Sequence, residues 1–193
     1  MLRLLWKLYW KLSGWKVRGS FPYQEKKLLM VVAPHTTWKD VLVGFAGRAV
    51  LNIPHARFLG KKELFDGPFG WLFRWLGGTP VDRFSASGMV EQVADLFRNN
   101  DRFLLAMAPE GTRKRVDKLR SGFYHIARSA GIPILMVGLD FRNKELVLAP
   151  LMYTTADEAA DFHRIIQYFA QFEGAVPDQD LRHLKATDPD QAS

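Results

Sequence analysis

Leu28-Leu-Met-Val-Val-Ala33 leads directly into Pro34-His35-Thr-Thr-Trp-Lys-Asp40, and this junction decides the fold. Six apolar residues in succession, two of them adjacent valines, read as a strand buried on both faces. Residues 40–51 then carry apolar positions at helical spacing, which makes 34–39 the turn joining strand to helix. The same rhythm repeats outward along the chain. Short strands are expected at 57–59, 103–108, 132–140 and 145–148, and helical stretches at 70–76, 122–130 and 157–172, with Met89, Val93, Leu96 and Phe97 marking another. Gly131-Ile-Pro133 separates one of these helices from the strand that follows. Alternating strands and helices place the chain in the α/β class, expected here as a single domain with a mixed, mostly parallel sheet flanked by helices.

The chain has 193 residues, 48% of them hydrophobic and 24% charged, enough for one globular domain with a buried core. Its 27 Lys and Arg exceed its 20 Asp and Glu by 7, which favours an anionic partner such as a phosphate, a nucleic acid or an acidic membrane. It has no cysteine, so it forms no disulfide, no thiolate metal site and no acyl-thioester on its own side chains. No RNA-binding signature, zinc-finger spacing or recognition-helix pattern is visible, which sets nucleic acid aside as a partner.

The two ends read differently from the middle. Residues 1–18 open with Leu2, Leu4, Leu5 and Leu8 interspersed with Trp6, Trp10 and Trp15, but Arg3, Lys7 and Lys11 interrupt the run at four-residue spacing. A membrane span needs roughly 18 nearly uncharged apolar residues, so this segment is read as an amphipathic helix lying in the membrane interface. Tryptophan beside cations favours the headgroup level, while leucines at helical spacing are equally what a helix docked on the protein's own core presents. Residues 19–176 are expected to form the globular domain, and the polar, proline-bearing stretch 177–193 a disordered tail. The aromatic residues between Trp38 and Trp75 are read as core rather than as the lining of an acyl site.

His35 is the first residue able to do chemistry, and Asp40 lies five positions on. Five positions on one regular helix separate two side chains by roughly 140°. With His35 in the turn and Asp40 in the first turn of the helix, the carboxylate can accept from one imidazole nitrogen and leave the other free to take a proton. A hydrogen-bonded turn histidine has the same sequence appearance. Ala108-Pro-Glu-Gly-Thr-Arg-Lys-Arg115 follows a predicted strand, where α/β sheets bind ligands, and Gly111 and Arg113 there suit a tight backbone path around a phosphate. Gly60-Lys-Lys-Glu-Leu-Phe65 follows a short strand, and it and Gly77-Gly-Thr-Pro-Val-Asp-Arg83 both place cations beside strand ends. Lys61 or Lys62, Arg83 and Arg113 are expected to make one anion pocket if the sheet gathers these ends.

Taken in order, His35-Thr-Thr-Trp-Lys-Asp40, Lys61-Lys-Glu-Leu-Phe65, Gly78-Thr-Pro-Val-Asp-Arg83, Pro109-Glu-Gly-Thr-Arg113 and Gly131-Ile-Pro-Ile134 resemble the successive motif blocks of the glycerolipid acyltransferase family, which includes the 1-acylglycerol-3-phosphate acyltransferases. The resemblance implies that His35 is the general base and Asp40 its orienting partner. It also implies that Lys62, Arg83, Glu110, Gly111, Thr112 and Arg113 help bind the acceptor phosphate. Two blocks depart from the common pattern, at Ala108 before Pro109 and at Thr79-Pro-Val81 before the arginine block. The implied reaction moves a fatty acyl group from a thioester donor, acyl-coenzyme A or acyl-acyl carrier protein, to the hydroxyl of a lysophospholipid, 1-acylglycerol 3-phosphate first. Other lysolipid acceptors and a non-catalytic phospholipid-binding protein of the same fold are the alternatives. No metal or bound cofactor is implied, and the expected location is peripheral, on the cytoplasmic face of a membrane.

Overall fold

The computed structural model describes residues 2–81 and 88–187. In chain order its elements are α1 (Leu2–Ser13), β1 (Lys16–Arg18), β2 (Lys27–Ala33), α2 (Lys39–Val50), β3 (Arg57–Lys61), α3 (Lys62–Asp66), α4 (Gly70–Trp75) and β4 (Gly78–Val81). Then come α5 (Gly88–Arg98), β5 (Phe103–Met107), α6 (Gly122–Ala130), β6 (Ile134–Asp140), β7 (Glu145–Leu148) and α7 (Glu158–Phe169), followed by 3₁₀ turns at Pro177–Gln179 and Arg182–Thr187.

Among the described residues the strands form one sheet in the order β1-β7-β6-β2-β5-β3-β4. Only β6 and β7 pair antiparallel; the other neighbours run parallel. The expected mixed, mostly parallel sheet is therefore the one observed. Strand β2 lies near its middle, and its alternating side chains explain the uninterrupted apolar run. Leu29, Val31 and Ala33 join one hydrophobic core with α5, α6 and α7, while Leu28 and Met30 join a second core with α2 and Trp10. Fully burying each such side chain stabilises the fold by about 1.5–3 kcal/mol.

The helices that follow β2 and β5 pack on opposite faces: Val43 and Ala46 of α2 belong to one core, Phe123, Tyr124 and Ile126 of α6 to the other. The chain diverges at the carboxyl ends of these two neighbouring strands, and such a divergence opens a crevice where α/β sheets bind ligands. His35 follows β2 and Glu110 follows β5, so the fold sets both at that crevice.

Segment 1–18 is not a detached helix. Helix α1 ends at Ser13, and β1 adds an edge strand beside β7. Trp10 and Trp15 are buried, with ring centroids 5.9 Å apart, and Trp6 stacks on Phe45 of α2 at 5.6 Å. One side of α1 thus docks on the protein. The other side leaves Leu4, Leu5, Leu8 and Leu12 more than half exposed, flanked by exposed Arg3, Lys7 and Lys11.

The expectation of a disordered tail over 177–193 needs correction. Residues 177–187 form the two 3₁₀ turns, with Leu181 and Leu184 inserted into the larger core and Asp180 buried behind them. Two leucines three residues apart supply the apolar face that the polar composition hides. Residues 188–193 lie outside the described residues.

Candidate active site

The backbone after β2 curls around one carboxylate. Asp40, in the first turn of α2 and only 3% exposed, turns Oδ2 back to accept the backbone N–H groups of Thr36 at 2.6 Å and Thr37 at 2.8 Å. The same oxygen lies 3.1 Å from His35 Nδ1. Three donors on one oxygen hold the loop closed and set the imidazole's orientation. Helix α2 also directs the positive end of its dipole at this carboxylate. The His35 side chain is 25% exposed, and its Nε2 accepts from Arg113 Nε at 3.4 Å. An acceptor at Nε2 and a donor at Nδ1 specify the neutral tautomer with its proton on Nδ1. The turn geometry expected for His35 and Asp40 is thus the geometry present.

The β5 loop is stapled to this one. Glu110, 2% exposed, accepts the His35 backbone N–H on Oε1 at 2.8 Å. Burial pushes its carboxyl up to about 7, opposed by the hydrogen bond from the His35 N–H. Glu110 Oε2 and Asp40 Oδ1 are both buried without a partner among the described residues. Arg120 closes the 109–120 loop, its N–H donating to Pro109 O at 2.9 Å and its Nε to Glu110 O at 3.3 Å. Gly111 sits between them at φ 65°, where an added Cβ would come within 2.6 Å of Arg120 Nε. Thr112 Oγ1 accepts from the Lys114 N–H at 3.3 Å and turns the chain so that Arg113 faces His35.

A pH test follows from Glu110. Its folded value lies above the ordinary 4.5, so the stabilisation tied to its retained proton is complete below about pH 4.5 and is lost as pH rises through about 7. Glu110→Gln keeps an acceptor for the His35 N–H and has nothing to ionise. Urea unfolding at pH 5 and pH 8 is expected to show the variant gaining on the wild type by up to about 3 kcal/mol at the higher pH; an unchanged difference would mean that Glu110 titrates normally.

Lys62 stands elsewhere. It begins α3 after β3, and β5 separates β3 from β2, so it is displaced by roughly 10 Å across the sheet. With Asp66, Arg74, Pro80 and Gln92 it lines a cavity of about 300 Å³ that none of His35, Asp40, Glu110 and Arg113 enters. The anion pocket expected from Lys61 or Lys62, Arg83 and Arg113 includes Arg83, which lies outside the described residues. Also among the described residues, no group of three or more His, Asp or Glu side chains is placed to hold a metal ion, and no helix is long and apolar enough to cross a membrane.

Sequence reasoning missed the segment that braces the site from behind. The Val176 N–H donates to Thr36 Oγ1 at 3.3 Å, and His183 Nε2 lies 2.8 Å from Val116 O. With its amide oriented to satisfy both contacts, Gln179 Nε2 donates to Thr36 O at 3.1 Å and to Arg113 O at 2.5 Å. One side chain thereby joins the His35 loop to the Arg113 loop. Gly174 packs where a Cβ would meet Thr36 Cγ2 at 2.8 Å. The legible signals were Pro177, which starts a helical turn well, and the Leu181/Leu184 pair.

The family model described as Acyltransferase matches residues 14–140. The 1-acyl-sn-glycerol-3-phosphate acyltransferase of Streptococcus pneumoniae is 33% identical over 136 residues, covering 67% of this chain and 49% of that protein. Its counterparts in Haemophilus influenzae and Escherichia coli are 30% identical over 134 residues and 36% over 97, covering 65% and 47% of this chain and 54% and 39% of theirs. The aligned part of the chain thus spans about half the length of the relatives it matches, or less. The crystal structure of the 1-acyl-sn-glycerophosphate acyltransferase of Thermotoga maritima superposes with a TM-score of 0.59 at 17% identity, over 95% of this chain and 78% of that one, a likeness of fold.

Proposed function

The chain belongs to the acyltransferase family, and from that premise we propose that it moves a fatty acyl group from a thioester donor to the hydroxyl of a lysophospholipid, foremost 1-acylglycerol 3-phosphate. The observation that carries this reading is the His35 imidazole at the crevice, with Nδ1 on buried Asp40 and Nε2 facing outward beside Arg113. The acceptor oxygen attacks the thioester carbonyl carbon as its proton passes to Nε2. Asp40 stabilises the imidazolium so formed. The tetrahedral intermediate then expels the thiolate, to which the imidazolium returns the proton, and ester and free thiol leave. No enzyme thiol takes part, in keeping with a chain that has no cysteine. Acyl-coenzyme A or acyl-acyl carrier protein serves as co-substrate.

Arg113 is a phosphate-binding cation beside the base, and holding the phosphate there converts binding energy into placement of the hydroxyl. Glu110, Gly111 and Thr112 shape the loop that presents it. Lys62, which begins α3, and Arg83 are the further cations that help bind the phosphate. The exposed leucines of α1 rest in the membrane interface with Arg3, Lys7 and Lys11 at headgroup level, making the protein peripheral on the cytoplasmic face, where thioester donors are met. Residues 19–176 form the acyltransferase domain, to which 177–187 add the brace.

The test is to present lysophosphatidate in anionic phospholipid vesicles with each thioester donor and to follow phosphatidate by mass spectrometry. Phosphatidate is expected with at least one donor; none with either would reject lysophosphatidate as acceptor. In the same vesicles, a Leu8→Asp, Leu12→Asp double variant is expected to bind at least about tenfold more weakly, since each leucine contributes about 1–2 kcal/mol when buried in lipid. Undiminished binding would remove α1 from the membrane contact.

A further inference from the structure

The nitrogen that must take the hydroxyl proton is already occupied. Arg113 Nε donates to His35 Nε2 at 3.4 Å, and the other nitrogen is committed to Asp40. An imidazole with both nitrogens engaged has no lone pair left for an incoming hydroxyl. The contact holding Arg113 there is weak: it is long for a hydrogen bond, its acceptor is neutral, and the guanidinium is exposed. Among the described residues no carboxylate pairs with this guanidinium; Glu110 of the same loop is buried and directs Oε1 at the His35 N–H. The Arg113 main chain, by contrast, is anchored through its carbonyl to Gln179. The residue therefore has a fixed root and a head free to exchange partners.

We propose that Arg113 caps the His35 base while no acceptor is bound, and that the phosphate of the acceptor draws the guanidinium away and uncovers Nε2. A phosphate offers two or more charged oxygens in bidentate geometry, against one neutral nitrogen at 3.4 Å. The exchange is downhill only for an anionic acceptor. The inference rests on His35 being the base, and it makes Arg113 a specificity determinant in two ways. An acceptor without phosphate leaves the cap in place and reacts slowly. Water meets the same barrier, so the thioester is protected from hydrolysis in the idle enzyme. In that side reaction the water oxygen attacks the carbonyl carbon, its proton passes to Nε2, the carbon–sulfur bond breaks, and the thiolate recovers the proton to give fatty acid and thiol.

Two measurements on the full chain test this. In the first, acyl-coenzyme A is incubated with wild type, Arg113→Ala and Arg113→Gln, with no acceptor, with lysophosphatidate, or with monoacylglycerol. Losing one weak hydrogen bond to the base is expected to raise acceptor-free hydrolysis by about tenfold. The preference for lysophosphatidate over monoacylglycerol is expected to fall by at least as much. Hydrolysis at or below the wild-type rate in both variants, with wild-type transfer intact, overturns the cap. In the second, the His35 imidazole ¹⁵N resonances are followed on adding glycerol 3-phosphate or glycerol. The wild type is expected to shift with glycerol 3-phosphate alone, and Arg113→Ala to start near the shifted position and stay there. A wild type indifferent to both also overturns the cap. If the wild type transfers no acyl group to any lysolipid, the acyltransfer reading fails, and the resonance experiment still decides whether an anion removes Arg113 from His35.

Discussion

His35→Ala is expected to lower acyl transfer by roughly 10²- to 10⁴-fold, the range set by removing a general base, while leaving the fold intact. The substitution deletes the imidazole contacts to Asp40 and Arg113 but keeps the backbone N–H that Glu110 accepts. Asp40 retains the N–H groups of Thr36 and Thr37, so the loop stays closed around it. The measurement is the rate of phosphatidate formation beside the thermal unfolding midpoint. A variant that unfolds as the wild type does and transfers at more than about a tenth of its rate would remove His35 from the role of base.

Asp40→Asn is the second large effect, and its design separates charge from shape. The asparagine oxygen can accept the three N–H groups that Asp40 Oδ2 accepts, and its NH₂ then falls where Oδ1 has no partner among the described residues. Geometry and tautomer survive, but the negative charge proposed to stabilise the imidazolium is gone. A hydrogen bond to a charged group is worth about 1.5–3 kcal/mol, so kcat is expected to fall about 10- to 100-fold with little change in KM. A loss confined to KM would mean that Asp40 shapes the acceptor site instead. Asp40→Ala, which also abandons two backbone donors, should cost stability as well, and that contrast identifies the loop-closing share of the residue.

The elements read most closely were those whose boundaries are written in strong chemistry. Gly122–Ala130 and Glu145–Leu148 have the expected bounds, and β2 gains one residue, because apolar runs there end at glycine, proline or charge. The strands missed, β1 and β4, are the two edges of the sheet. Lys16-Val-Arg18 is short and charged, and Gly78-Thr-Pro-Val81 carries a proline that a central strand would refuse. Edges are kept unlike ideal strands so that they do not pair with other chains, and this same property hides them from pattern reading. Of the candidate site, the His35–Asp40 pair and the Glu110–Arg113 loop were legible because local spacing and a strand end fix them. The separation of Lys62 from that pair was not, since it depends on β5 lying between β2 and β3, a strand order that no local pattern encodes. The contact of Arg113 with His35 spans 78 positions and was equally out of reach.

The brace has a consequence for how the protein comes into being. Thr36, Arg113 and Val116 are each tied to residues of 176–183, which are synthesised after both loops. At roughly 5–20 residues per second, several seconds separate translation of Arg113 from that of Gln179. During that interval the nascent chain holds every residue of the His35 site in order, yet lacks the clasp between its two halves. A ribosome-bound or prematurely terminated product ending before this segment therefore has both loops but not the residues that join them.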